Sequence, residues 1–262
     1  MMKDVLAQTL TVASYEVRKY VRGRRLIGML ILLVLIIGLI LGVPPALGVK
    51  YASQPNVFVS TFAGLASLLV VLGGVLFAAD ALVSEHEKRT GYFLFPNPVR
   101  REVLVLGKLA ASLFTSGMII SLYYLAATVA ALAVTGSTTW EIGLSYAYAL
   151  AYLTAVVGVA YLISATFKST VAATVLTFFL FTLIFSIVGA LLNRGKVAPW
   201  FIPTSAAGII GDVLAPPVFG GPGGAFAEFV PDATTSLLVF GAYFIAGSVL
   251  AILLFRRREL ST

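Results

Sequence analysis

The sequence predicts an all-α membrane protein with six transmembrane helices. Three observations carry that prediction. The 262 residues are 60% hydrophobic and 11% charged, with a mean hydropathy of +1.01; a soluble domain carries more than twice that share of charge. Several apolar runs exceed about 18 residues, enough to cross a hydrocarbon core about 30 Å thick. The basic residues gather at the ends of those runs, mostly on one side. The chain reads as a single transmembrane unit over 1–262, and cysteine is absent, which excludes disulfides and thiolate metal sites.

Residues 2–22 read as an amphipathic helix, with Leu6, Leu10, Ala13, Val17 and Tyr20 recurring at helical spacing. Such a helix suits the membrane interface, either as a simple anchor or as a contact surface. The polar start and the lack of a small-residue cleavage site argue against a cleavable leader. Span one is expected over Leu26–Val43, where Gly38 and Gly42 form a GxxxG step and Pro44-Pro45 should end the helix. Span two covers Val57–Ala79. Span three, Val103–Val134, is longer than a bilayer requires, so it tilts or projects beyond the membrane. Span four (Gly143–Phe167) and span five (Val171–Leu192) are separated only by Lys168, Ser169 and Thr170, which demands a tight hairpin. Residues 193–236 hold Pro199, Pro203, Pro216, Pro217, Pro222 and Pro231 and the run GGPGG at 220–224. No full span fits there, so short re-entrant outer helices are expected, with Thr204 or Ser205 capping one over 205–214. Span six is Leu237–Phe255.

Six spans put both termini on one side. That side carries Lys3, Arg18, Lys19, Arg22, Arg24, Arg25, Lys88, Arg89, Arg100, Arg101, Lys108, Lys168 and Arg256 to Arg258, fifteen of the eighteen basic residues. Only Lys50, Arg194 and Lys196 fall on the other. The positive-inside rule then makes the termini and the 80–108 loop cytoplasmic.

No ionisable residue lies well inside a span. Proton pumps and ion-coupled transporters place such groups there, and the proteolytic motifs are missing too, as is a GxxxxGK[ST] nucleotide loop. The spans hold hydroxyls and aromatics instead. Thr115, Tyr123, Thr128, Tyr148, Tyr152 and Thr177 either knit the helices together or form a neutral surface for a hydrophobic cargo.

The charge is concentrated in residues 80–108. Ser84 can cap a short helix whose first turn carries Glu85 and Glu87. Lys88 and Arg89 follow, with His86, the sole histidine, read as solvated. Thr90-Gly91 ends or kinks the helix, and Pro96 and Pro98 prevent its extension. Such a segment between two spans suits contact with a soluble partner. A nucleotide-independent channel, or an anchor that recruits a soluble enzyme, remains the alternative.

The residues of this loop resemble those of the membrane subunits of ABC-2-type transporters, also grouped as type V exporters. The pattern comprises Asp80 at the end of span two, Glu85-x-Glu87, Thr90-Gly91, the apolar Phe93–Phe95, Asn97-Pro98-Val99-x-Arg101, and Gly107-Lys108. The order Thr-Gly departs from the Gly-Thr of many members. The resemblance implies a multi-pass subunit of the cell membrane that pairs with a second permease subunit and docks on a separate ABC ATPase. ATP and magnesium would bind that partner, leaving this chain without a cofactor or a catalytic or metal site; nucleic acid is not expected. It further implies a coupling helix over Ser84–Gly91, a connecting helix over 2–22, and an outer gate within 199–214 that includes Trp200, Phe201, Ile202 and Pro203.

Overall fold

The computed structural model of the chain describes residues 2–83, 101–215 and 231–257. The expected coupling residues Ser84, Glu85, His86, Glu87, Lys88, Arg89, Thr90 and Gly91 lie outside the described residues, as do Phe93–Phe95, Pro98 and the GGPGG run. The described residues form helices and their connections. They are α1 (Met2–Val21), α2 (Arg24–Ala46), α3 (Pro55–Ala78), α4 (Arg101–Thr135), α5 (Glu141–Thr166), α6 (Thr170–Arg194), the one-turn helices α7 (Pro203–Ala206) and α8 (Ile209–Asp212), and α9 (Ala233–Arg257). Six of them, α2 to α6 and α9, are long and apolar enough to cross a membrane.

Helices α5 and α3 form the centre. Alanine, glycine and valine along α5, from Ala149 through Ala165, let its neighbours approach closely. Gly158 meets α9 backbone to backbone: a Cβ there would lie 2.7 Å from the Phe244 Cα, and one on Gly247 would lie 2.4 Å from the Gly158 carbonyl carbon. On the other side a Cβ on Gly74 of α3 would fall 2.6 Å from a Val156 methyl. These glycines set the core helix crossings. Gly38 and Gly42 of α2 have open space around them, so the GxxxG step makes no contact within the subunit.

Two expectations need correction, and span five, present as expected, carries an added detail. Pro44 and Pro45 do not end α2, which runs on to Ala46. A proline near a helix C-terminus loses only its own amide bond, and here the carbonyls of Pro44 and Pro45 still accept from Leu47, Gly48 and Val49. The chain leaves at Gly48, in the left-handed region at φ 71°. Neither Thr204 nor Ser205 caps a 205–214 helix; α7 begins two residues earlier, at Pro203, with Ile202 before it. Span five is interrupted by a π turn over Leu180–Ile184 between two α-helical halves.

Helix α1 shows a different inner face from the one its periodicity suggests. Tyr20 is buried and Ala13 and Val17 pack at the edge of the core, but Leu6 and Leu10 are 60% and 66% exposed. The inward stripe instead runs through Val5, Thr9, Val12, Glu16 and Tyr20. It lies on the first turns of α4, where a Cβ on Gly107 would stand 2.7 Å from Val12. Thus α4, 35 residues long and about 52 Å at 1.5 Å per residue, uses its surplus length as the platform for α1.

At the end opposite the 84–100 segment, α7 and α8 cover the starts of α3, α5 and α9. Asn56 Nδ2 donates to the Leu214 carbonyl (3.1 Å), Ser145 Oγ to Ile210 (2.6 Å) and Ser236 Oγ to Ala206 (3.2 Å). Helix-borne side chains thereby satisfy the irregular backbone.

Candidate functional site

Helix α3 ends at Ala78, leaving its last carbonyls without intrahelical donors. Four other helices reach in around them. The Tyr20 hydroxyl of α1 donates to the Phe77 carbonyl at 2.9 Å, and the Ser112 hydroxyl of α4 lies 2.6 Å from the same oxygen. Arg25 of α2 donates to the Leu76 carbonyl at 3.2 Å and forms an ion pair with Asp80. Tyr161 of α5 lies 3.1 Å from Ser112. One turn further along α5, Ser164 Oγ accepts the backbone N–H groups of Leu82 and Val83 at 3.0 and 3.2 Å.

The far side of the 84–100 segment returns through Arg101 into α4 and is fastened to α1. Lys108 Nζ stands 2.6 Å from Glu16 Oε1, while Lys19 Nζ stands 3.0 Å from Glu16 Oε2. The Lys108 side chain is 2% exposed and that of Glu16 13%. Burial opposes ionisation of Glu16, but the two ammonium groups outweigh it and hold its carboxyl below the ordinary value. Burial also pushes the Tyr20 phenol well above its usual range, so it stays a neutral donor.

The Gly107-Lys108 pair now has a physical reading. Gly107 removes the Cβ that would collide with Val12 and the Thr9 carbonyl, and Lys108 supplies the cation that fixes Glu16. Asp80 likewise pins α2 through Arg25. Both edges of the charged segment are therefore tied to one another and to α1, α2 and α5.

Several of these residues carried no weight in the sequence. Glu16 lies outside the apolar stripe expected on α1, and its spacing one turn before Tyr20 is the signal that could have found it. Ser112, Tyr161 and Ser164 had no local signal, since hydroxyls are frequent in all the spans. Among the described residues no cluster of three His, Asp or Glu side chains is placed to hold a metal.

Of the six hydroxyl and aromatic residues expected as a cargo surface, four are buried and two half-buried. Thr115, Tyr123, Tyr152 and Thr177 are buried. Tyr123 donates to Phe62 O (2.8 Å) and Thr177 to Ala173 O (2.7 Å), while Tyr152 packs between Phe181 and Phe240. Thr128 and Tyr148 are half-buried, and Thr128 donates to Tyr124 O at 2.8 Å. Of the expected outer-gate residues, Ile202 and Pro203 are buried, whereas Trp200 and Phe201 stand exposed, edge to face with ring centroids 5.7 Å apart.

No curated protein matches the chain at a significant level. The family described as ABC-2 family transporter protein matches residues 10–260, from the middle of α1 to beyond the end of α9. With six candidate membrane-crossing helices and a family match over nearly its whole length, the chain belongs to the ABC-2 transporter family, as a multi-pass permease component of an ABC transporter.

Proposed function

We propose that this subunit converts ATP hydrolysis by a separate ABC ATPase into movement of a hydrophobic or amphipathic cargo. The ATPase, which holds ATP and magnesium, docks on Ser84–Gly91, with α1 as a second contact. Both termini and this segment face the cytoplasm of a cell-membrane protein, and a second permease subunit, identical or related, completes the pathway. Residues Trp200 to Pro203 serve as the outer gate. Thr128 and Tyr148, half-buried on α4 and α5, are the members of the proposed cargo surface best able to reach a second subunit.

The observation that carries this reading is the clamp around Phe77, Asp80 and Lys108. A push on the charged segment enters the bundle at Val83 and at Arg101. Hydrogen bonds and ion pairs at Phe77, Asp80 and Val83 on one side, and at Lys108 and Ser112 on the other, engage α1, α2, α3, α4 and α5 together. A channel has no need of such a linkage.

The test is co-expression with ABC ATPase subunits from the same genome, purification in mild detergent, and measurement of vanadate-sensitive turnover. Stoichiometric copurification and stimulation are expected. The pair Glu87→Lys and Arg89→Glu should abolish stimulation with thermal unfolding unchanged. No bound ATPase, or full stimulation in that variant, overturns the reading.

A further inference from the structure

The buried residues of α2, namely Leu26, Met29, Leu33 and Ile36, all belong to its first half. Beyond Ile36 the packing is partial: Ile37, Ile40 and Leu41 are half-buried against the core, and Leu39 and Val43 are about half exposed. A groove of about 480 Å³ opens between this upper half and the start of α3. Leu39, Val43 and Val49 line it together with Phe58, which is buried, and Tyr51 closes one side by donating to the Leu41 carbonyl. Its one charged lining residue is Lys50, exposed in the connection that follows α2.

Volume, mostly apolar walls and a few polar groups, here Lys50, Tyr51 and Thr61, are the features of a small-molecule site. Lys50 follows the end of a membrane-crossing helix, at the level where lipid headgroups lie, and its stem can lie on apolar surface while the ammonium reaches them. In the orientation expected from the charge distribution, Lys50 shares its side with Arg194 and Lys196 alone among the basic residues, so an anion there meets a local cation. We infer that the groove between α2 and α3 holds a resident bilayer lipid with an anionic headgroup, its phosphate on Lys50 and its chain along Leu39, Val43 and Phe58.

The experiment uses the full-length chain in a neutral detergent. Thermal unfolding is followed with added phosphatidylglycerol, phosphatidylcholine or inorganic phosphate. Phosphatidylglycerol should raise Tm by about 2–4 °C more than phosphatidylcholine, through preferential binding to the folded state. Inorganic phosphate should have no effect. Lys50→Gln, in an exposed loop, should lose the difference between the two lipids, and Val43→Trp, which fills the groove, should lose both responses. Equal responses to the two lipids, an undiminished difference in Lys50→Gln, or an equal shift from inorganic phosphate overturns the inference.

Discussion

Lys108 and Glu16, 92 residues apart in sequence, form a buried ion pair at 2.6 Å where α1 lies across α4. Removing one member of such a pair strands the other charge, at about 3–5 kcal/mol, whereas replacing both with apolar residues is often close to neutral. Lys108→Met should therefore lower the thermal midpoint strongly. Its effect falls at the lower end of that range, because Lys19 remains beside Glu16. Adding Glu16→Leu should restore most of the loss. A double-mutant cycle on unfolding in detergent measures this; additive losses would show that the two residues do not act as a pair.

The same pair sets a pH dependence. The Glu16 carboxyl is held below its ordinary value of 4.5 in the folded chain. Its stabilising share is thus fully present above about pH 4.5 and is lost as pH falls through the lower folded value. Other carboxylates titrate nearby, so the informative quantity is the Tm difference between wild type and Glu16→Gln. That difference should be constant from pH 8 to 5 and shrink below 4.5; a difference that grows on acidification would contradict the sign.

Glycine contacts offer a contrast between positions that look alike in sequence. An alanine at Gly158 or Gly247 would press a methyl into the backbone of the facing helix, and backbone cannot rotate aside as a side chain can. Each should destabilise by about 1–3 kcal/mol, the usual range for overpacking, or more. Gly38→Ala has open space and should leave the isolated subunit unchanged, or stabilise it by about 0.5–1 kcal/mol through helix propensity. Denaturant titration of the three variants in one detergent decides this. A severe effect at Gly38 alone would mean that α2, rather than the α5–α9 crossing, limits stability.

These contrasts explain what was legible. The six spans were readable because desolvating a charge forbids ionisable residues over about 20 positions, a constraint each segment obeys by itself. The hairpin at Lys168 to Thr170 followed from the same length argument, and Ser169 does accept from the Ala172 amide. The packed stripe of α1 went unread because the helix was expected only to suit the membrane interface, with no protein contact assigned to Glu16. At a membrane surface Leu6 and Leu10 can face lipid, while the packed stripe admits Glu16 because Lys108 neutralises it. The π turn at Leu180–Ile184 carries no glycine or proline to mark it. The junction itself was half visible: Asp80 and Gly107-Lys108 stood out as a pattern, but their partners Arg25, Val12 and Glu16 lie far away in sequence.

Ser164 separates stability from transmission. Its hydroxyl accepts from two consecutive amides, Leu82 and Val83, at the point where the chain leaves the bundle for the charged segment. Ser164→Ala removes that acceptor without adding bulk and takes from the buried Val83 N–H its hydrogen bond, at about 1–3 kcal/mol. The remaining ties at Phe77, Asp80 and Lys108 keep the fold intact. If the junction transmits movement from the ATPase, Ser164→Ala should reduce cargo flux per ATP hydrolysed, with the ATPase still bound in full. Ser60→Ala, whose exposed hydroxyl bonds only to the Val57 carbonyl one turn back in α3, serves as the control for loss of a hydroxyl. Paired measurements of transport and ATPase turnover in liposomes check the outcome. An unchanged ratio in Ser164→Ala would place the transmission path elsewhere, through α1 and the Glu16–Lys108 pair.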